Sequence, residues 1–160
     1  MVSADMLYSA QDRSDLRGIA RVLYPHDGLG DSPYERVVSS LEQRSSSEPA
    51  VYKVLQAGLV DLRVHSGARL SDLDQDALHR MLLECEETEF FSLIRRLVAW
   101  YLYDDREVWA FVGYPGSSFE FGGYINRGFD DLAWLPDPRI EEVDDSLPDI
   151  GALLDTEIPQ

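Results

Sequence analysis

Apolar residues recur every three to four positions through the first 104 residues of the chain, which is the period of an amphipathic α-helix. The first such stretch covers residues 9–24, and Pro25 stops it because proline cannot continue a helix. The second begins at Pro33, a residue type that suits the first helical turn. It ends before residues 45–48, which are serine-rich and predict a polar linker.

Three more helical stretches follow. One begins near Pro49 and ends at Gly67, since glycine commonly closes helices. The next begins at Ser71, whose hydroxyl can cap it, and acidic residues follow that complement the helix dipole. The last runs from Thr88 to Asp104. The pattern therefore predicts an all-α fold, a small bundle of about five helices in a domain of residues 1–105.

The pattern changes after Asp105. Residues 106–136 are rich in glycine and aromatic residues and have no sustained helical period, so we predict an irregular segment there. Residues 137–160 are acidic and interrupted by prolines, which predicts an extended acidic C-terminal tail.

The irregular segment is the candidate partner interface, because large aromatic side chains dominate protein interfaces. Its members are Trp109, Phe111, Tyr114, Pro115, Phe119, Phe121, Tyr124, Phe129 and Trp134. Gly113 and Gly116 on either side of the Tyr-Pro pair predict a turn at the contact. The alternative is that this segment folds back over the helices of its own domain, and both can hold at once.

The charge balance argues against binding to nucleic acid or to an anionic membrane surface. With 30 acidic against 14 basic residues, the net charge is −16. Nucleic-acid binding requires the opposite sign, and so does adsorption to an anionic membrane surface. The excess of acids is compatible with high solubility or with docking on a basic partner surface. No apolar run is long enough to span a membrane, and the N-terminal residues contain no export signal, so we expect a cytoplasmic location. A leader already removed, or one carried by a partner, would instead indicate the periplasm.

One acidic cluster imitates a metal-binding motif. Asp72, Asp74 and Asp76 have the spacing that begins a calcium-binding loop. However, Ala77 stands where that loop needs glycine, and Leu83 stands where it needs a bidentate glutamate. We therefore expect these aspartates to be ordinary acids at the start of a helix.

The remaining candidates for chemistry are few. His26, His65 and His79 do not share the spacing of metal ligands on one helix face. Cys85 is the single cysteine, and its helical context favours a small, partly buried side chain over a reactive thiol. The chain has no phosphate-binding loop, dinucleotide fingerprint or nucleophile elbow. The sequence thus predicts no catalytic residue, cofactor or metal site in this chain.

Three segments carry a resemblance to a known family: Leu-Ser-Asp-Leu-Asp-Gln-Asp-Ala-Leu at 70–78, Phe-Phe-Ser-Leu-Ile-Arg-Arg-Leu at 90–97, and Val-Trp-Ala-Phe-Val-Gly-Tyr-Pro-Gly at 108–116 with Gly-Tyr at 123–124. In this order they resemble the gluconate 2-dehydrogenase subunit 3 family, over roughly residues 15–124. The most specific part is the tryptophan followed by Gly-Tyr-Pro-Gly.

The resemblance implies a non-catalytic accessory subunit bound to a large FAD-dependent oxidoreductase of the glucose–methanol–choline (GMC) type, which acts on a sugar or another alcohol. The flavin would belong to the partner, and a higher-order hetero-oligomer is compatible with it. Many members carry a twin-arginine leader, which this sequence lacks. Composition alone leaves an alternative, an acidic regulatory or decoy protein that binds a basic partner. A stand-alone helical enzyme is disfavoured, since no set of convergent polar groups is recognisable.

Overall fold

The computed structural model describes residues 7–119, 122 and 123. Within that part the chain forms six α-helices and one short 3-10 helix, and no strand. They are α1 (Ala10–Leu23), α2 (Ser32–Ser47), α3 (Pro49–Ser66), the 3-10 helix (Leu70–Asp72), α4 (Gln75–Glu84), α5 (Glu89–Tyr103) and α6 (Arg106–Val112). The chain divides into two units between Gly116 and Ser117, and all these helices belong to the first. The prediction of an all-α bundle is confirmed.

Local hydrogen bonds explain most helix ends. The Ser9 hydroxyl accepts the Asp12 backbone N–H at 3.1 Å, and the Asp12 carboxylate accepts the Ser9 N–H at 2.9 Å, a reciprocal cap for α1. The Thr88 hydroxyl likewise accepts the Phe91 N–H at the start of α5. Gly67 closes α3 in the left-handed conformation. The ends of these three helices lie within one residue of those predicted.

The predicted start of α4 was wrong by a few residues. Ser71 lies in the 3-10 helix and does not cap α4. The cap is Asp74, whose carboxylate accepts the Ala77 N–H at 2.7 Å, and Asp76 lies in the first turn. Both aspartates therefore act as acids at a helix N-terminus, as the sequence suggested.

The predicted linker at 45–48 was also wrong, because α2 continues to Ser47. Ser45 is buried, and its hydroxyl lies 2.7 Å from the hydroxyl of buried Tyr8. The hydroxyls of Ser46 and Ser47 donate to carbonyl oxygens one turn earlier. Serines that satisfy their hydroxyls in this way remain helical, so only Glu48 separates α2 from α3.

A third correction concerns the segment predicted as irregular from residue 106. Residues Arg106–Val112 form α6, which Asp105 caps by accepting the Glu107 N–H and which Gly113 ends with a φ of 74°. Val108 is the only buried side chain of this two-turn helix. One buried residue cannot produce a period, which is why the pattern gave no helix here.

The core is built around α5, which packs against α1, α2, α3 and α6. The inner face of α5 is fully or almost fully buried and consists of Phe90, Ile94, Val98 and Leu102. The other helices contribute further large apolar side chains, among them Leu16, Ile19, Tyr34, Leu41, Leu55, Leu59 and Leu82. Because one face of α5 is enclosed by four helices, its opposite face is the one left to solvent.

α3 and α5 approach each other most closely at Gly58. A Cβ atom at that position would come within 2.1 Å of the ring of Phe90, far inside van der Waals contact. Phe90 is buried and belongs to the first turn of α5, so its ring has little room to move. Glycine is therefore required here for its lack of a side chain.

We expect Gly58→Ala to lower the free energy of unfolding by about 2 kcal/mol, since overpacking outweighs the helix propensity that alanine adds. Gly18→Ala is the matched control. Gly18 also lies inside a helix, and its nearest neighbour, Leu78 Cδ2, would be 3.8 Å from the new Cβ. That variant should be stabilised by up to about 1 kcal/mol. Urea denaturation of both variants measures this, and equal effects would contradict the steric account.

A buried ion cluster joins the start of α1 to the end of α3. The guanidinium group of Arg63 donates to Asp15 at 2.8 Å and to Asp12 at 2.6 Å, and the side chain of Asp15 is fully buried. Burial alone would raise the pKa of Asp12, but hydrogen bonds from Ser9 and Arg63 outweigh it and lower that pKa below its ordinary value. The cluster therefore stabilises the fold in its ionised form.

Arg63→Met should cost about 3 kcal/mol of stability at pH 7, because it leaves two carboxylates without their counter-charge. Arg17→Met is the control, since Arg17 pairs with Glu35 at the surface and should contribute less than about 1 kcal/mol. The lowered pKa of Asp12 means that its contribution is complete above about pH 4 and is lost as the pH falls through the folded-state pKa. Unfolding measured from pH 7 to about pH 2 should accordingly show the wild type and Arg63→Met converging below about pH 4.

Candidate partner interface

Four aromatic side chains are exposed at the C-terminal end of the helical unit. Trp100 is 71% exposed, Tyr103 43%, Phe111 45% and Tyr114 43%. We call these four residues the aromatic surface. In a folded domain, a cluster of large exposed apolar side chains marks a contact surface more often than single exposed ones do.

The rotation of α5 positions Trp100 and Tyr103. They follow Arg96 at intervals of four and three residues, on the face opposite Ile94 and Val98. Together with Ala99 and Asp104, these residues line a shallow surface depression of about 510 Å³ beside the Trp100 ring. The depression is open to solvent and lined mainly by apolar atoms.

His26 connects the two helices that carry the aromatic surface. Its Nε2 lies 3.0 Å from the hydroxyl of Tyr103, and its ring lies edge-on to Phe111 at 6.0 Å between centroids. The ring of Phe111 also covers Gly28, where an added Cβ would lie 3.6 Å from it. Tyr103 and Phe111 are therefore parts of one continuous surface, although they belong to α5 and α6.

Trp109 was predicted to be an interface residue, but it is half-buried and engaged within its own unit. Its indole N–H donates to the carbonyl of Tyr103 at 2.5 Å. The guanidinium group of Arg106 lies 4.3 Å from its ring centroid, and Tyr114 packs edge-on at 5.0 Å. Trp109 thus holds Tyr114 and α6 in place. For this residue the structure shows the alternative given in the sequence analysis, in which the segment folds back over the helices of its own domain.

An ion cluster fixes the start of α6. Arg36 of α2 donates two hydrogen bonds to Asp105, at 2.5 and 2.8 Å, and one to Glu107 at 2.7 Å. The hydrogen bond from Arg36 is the main cause that lowers the pKa of Asp105, against a smaller opposing effect of burial. These bonds hold α6, and with it Phe111 and Tyr114, against the bundle.

Arg36→Gln should loosen α6 while leaving the bundle folded, because Asp105 and Glu107 lose their shared cation at the surface. Amide hydrogen exchange should accelerate several-fold in α6 and stay unchanged in α3. Arg44→Gln is the control. It removes only the exposed ion pair between Arg44 and Glu48, four residues apart, so it should change hydrogen exchange in neither α6 nor α3. Equal protection of α6 in all three proteins would show that the cluster does not hold it.

The other predicted interface residues fall into two groups. Pro115 is exposed in the helical unit, and Phe119, in the second unit, is 87% exposed. Phe121, Tyr124, Phe129 and Trp134 lie outside the described residues, as does the predicted acidic tail at 137–160. Gly113 and Gly116 both have positive φ, but Gly113 does so as the end of α6 and residues 114–117 form no regular turn, so the predicted turn around Tyr114 and Pro115 is not seen.

The sequence analysis missed Trp100, Tyr103 and His26. A signal for the first two was present, because Arg96, Trp100 and Tyr103 share one helix face that cannot coincide with the buried one. The contact of His26 depends on how the loop after α1 packs, and no local pattern encodes that.

Two findings concern other chemistry in the described part of the chain. No group of three or more histidine, cysteine or acidic side chains there is arranged to hold a metal ion. Burial raises the pKa of the Cys85 thiol, which favours its protonated form, and this agrees with the expectation of an unreactive cysteine.

No helix in residues 7–119 is both long and apolar enough to cross a bilayer. Comparison with protein-family models, with curated proteins and with solved structures found no match to this chain.

Proposed function

We propose that this chain is a non-catalytic accessory subunit that binds and stabilises a large FAD-dependent oxidoreductase subunit of the GMC type. The observation that carries the proposal is the aromatic surface at the junction of α5 and α6. The flavin would lie in the partner, which would oxidise a sugar or another alcohol. The cytoplasmic location expected from the sequence stays a prediction.

The chemistry of the surface supports a protein partner. Tryptophan and tyrosine bury large areas at low entropic cost and are the residues most often found at the energetic centre of interfaces. Here Trp100 and Tyr103 flank an open recess, and Arg96 and Asp104 lie at its edge. An apolar centre with charged groups around it resembles the arrangement of a specific protein interface.

The resemblance adds the identity of the partner. Its most specific motif, Trp109 followed by Gly113-Tyr114-Pro115-Gly116, coincides with the part of the chain that positions the aromatic surface. The contacts of the half-buried Trp109 indole explain why such a motif would need a tryptophan, since its N–H and its ring hold α5, α6 and Tyr114 together. We therefore infer that the motif maintains the shape of the docking surface, while Trp100, Tyr103 and Tyr114 make the contact.

Trp100→Ala should weaken association with the flavoprotein subunit by about 30-fold, the effect of losing a hot-spot residue worth about 2 kcal/mol. The variant should remain folded, because Trp100 is mostly exposed. Val64→Ala is the matched control, since Val64 is 78% exposed on α3 and lies outside the aromatic surface. The measurement is affinity purification of the tagged chain from its host, identification of the copurifying protein, and titration of the purified pair.

The copurified complex should be yellow and should release flavin on denaturation. A complex with no flavoprotein would contradict the proposed partner, and unchanged affinity of Trp100→Ala would contradict the proposed surface. An association that involves a basic protein and disappears in moderate salt would instead favour the acidic decoy alternative.

A further inference from the structure

A groove separate from the aromatic surface lies between α3 and the region where α4 passes into α5. Its volume is about 520 Å³, within the range of ligand and peptide sites. Gly58, Leu62 and Phe90 form a buried apolar floor, and Met81 and Cys85 add partly buried apolar surface. None of the four aromatic-surface residues lines it.

The groove is elongated. On α3 its lining runs from Lys53 to His65, a span of about 18 Å at the rise of an α-helix. The other wall is formed by Met81 to Phe90, and the space between the walls is open to solvent. A trough of this length between two helical walls suits an amphipathic helix, which inserts apolar residues from successive turns.

The Gly58 contact explains why the floor is deep enough to receive side chains. The ring of Phe90 lies directly against the α3 backbone there, so no side chain from α3 fills the middle of the trough. The neighbouring α3 residue that lines the groove, Ala57, is small and exposed.

The rim of the groove is acidic. Asp61, Glu84 and Glu89 line it, against the single ammonium group of Lys53. His65 also lies at the rim, where its Nε2 is 3.0 Å from the Glu84 carboxylate and can share that charge when protonated. With three carboxylates against one permanent cation, the rim complements a basic segment.

Charge also argues against the occupants closest at hand. Residues 137–160 of the same chain contain eight acidic residues and one basic residue, and a second copy of the chain carries a net charge of −16. Both would meet like charge at the rim, which is unfavourable. A basic segment from another polypeptide meets no such penalty.

We propose that this groove binds a basic amphipathic helix of a partner polypeptide, one with apolar residues at i, i+3 or i+4, and i+7 and with lysine or arginine beside them. The apolar residues fill the floor over Leu62 and Phe90, and the basic residues pair with Asp61 and Glu89. The inference does not rest on the identity of the partner, so it stands or falls separately from the flavoprotein proposal.

The test uses the full chain and a fluorescein-labelled synthetic helix of about 15 residues, with leucines at the spacing given above and lysines on its flanks. Fluorescence anisotropy at near-physiological salt measures its affinity. Two control peptides have the same length: one has its leucines scrambled off a single face, and the other has glutamate in place of lysine. We expect saturable binding of the first peptide and at least about tenfold weaker binding of both controls.

Two variants of the chain locate the binding. Ala57→Trp fills the trough from an exposed position, whereas Val60→Trp adds the same ring to the same helix at a half-exposed residue outside the groove. Ala57→Trp should weaken binding at least about tenfold, and Val60→Trp should not change it. Asp61→Lys reverses one rim charge without filling the trough, so it tests the site even if Ala57→Trp fails to fold. It should weaken binding of the lysine peptide and strengthen that of the glutamate peptide.

Several outcomes would overturn the proposal. One is no binding of the designed helix, and another is equal binding of the scrambled peptide, which would indicate attraction to net charge alone. Equal affinity of Ala57→Trp and Val60→Trp for the designed helix would show that the helix binds outside this groove. If dodecylammonium displaces the helix with higher affinity than the helix itself, the groove is a small-molecule site, and dimerisation that Ala57→Trp abolishes would make a second copy the occupant.

Discussion

The packing of Phe90 against the bare backbone of Gly58 sets the rotation of α5, and the outward position of Trp100 and Tyr103 depends on that rotation. With Phe90 directed into α3, the residues one turn apart along the same face, Ile94, Val98 and Leu102, enter the core. The face that carries Trp100 and Tyr103 is then turned outward. A change of one residue in this register would place Arg95 and Tyr103 where Ile94 and Leu102 fit, so a single small residue on α3 controls which side chains α5 exposes.

The two ion clusters, around Arg63 and Arg36, supplement this apolar packing because they connect helices at their ends. Arg63 joins α1 to α3 through Asp12 and Asp15, whose carboxylates are almost excluded from water. Arg36 joins α2 to the start of α6 through Asp105, which is nearly as buried as Asp12, and Glu107, which is half-exposed. The first cluster is compensated by hydrogen bonds on every side, which is the condition under which a buried charge is tolerated. The second costs little and adds little to global stability, but it holds a helix that has only one buried side chain. Two residues of the aromatic surface, Trp100 and Tyr103, therefore lie on the firmly packed α5, and the other two, Phe111 and Tyr114, lie on or directly after the lightly held α6.

The sequence predicted the five longest helices because each has a repeating apolar face and a recognisable end, such as Ser9, Gly67 or Thr88. It failed where tertiary contacts decide the outcome. Ser45 reads as linker but is buried against Tyr8, 37 residues away, and α6 is too short to show a period. The same distinction applies to the candidate interface. The aromatic composition pointed to residues 106–136, and it could not separate Trp109, which is engaged internally, from Trp100, which is exposed and lies before that segment.

The distinction between those two tryptophans shows that a distinctive sequence motif and an exposed aromatic surface need not be formed by the same residues. The Trp-to-Gly-Tyr-Pro-Gly segment is the most distinctive stretch of the chain, and it is tempting to treat all of it as contact surface. Its indole, however, is satisfied by the Tyr103 carbonyl and by Arg106, so a partner would gain little further area from it. The energetic centre of a docking surface is formed by rings that lose water only on binding. By that criterion Trp100 and Tyr103, which no motif distinguishes, should contribute more to affinity than the motif that holds them in place.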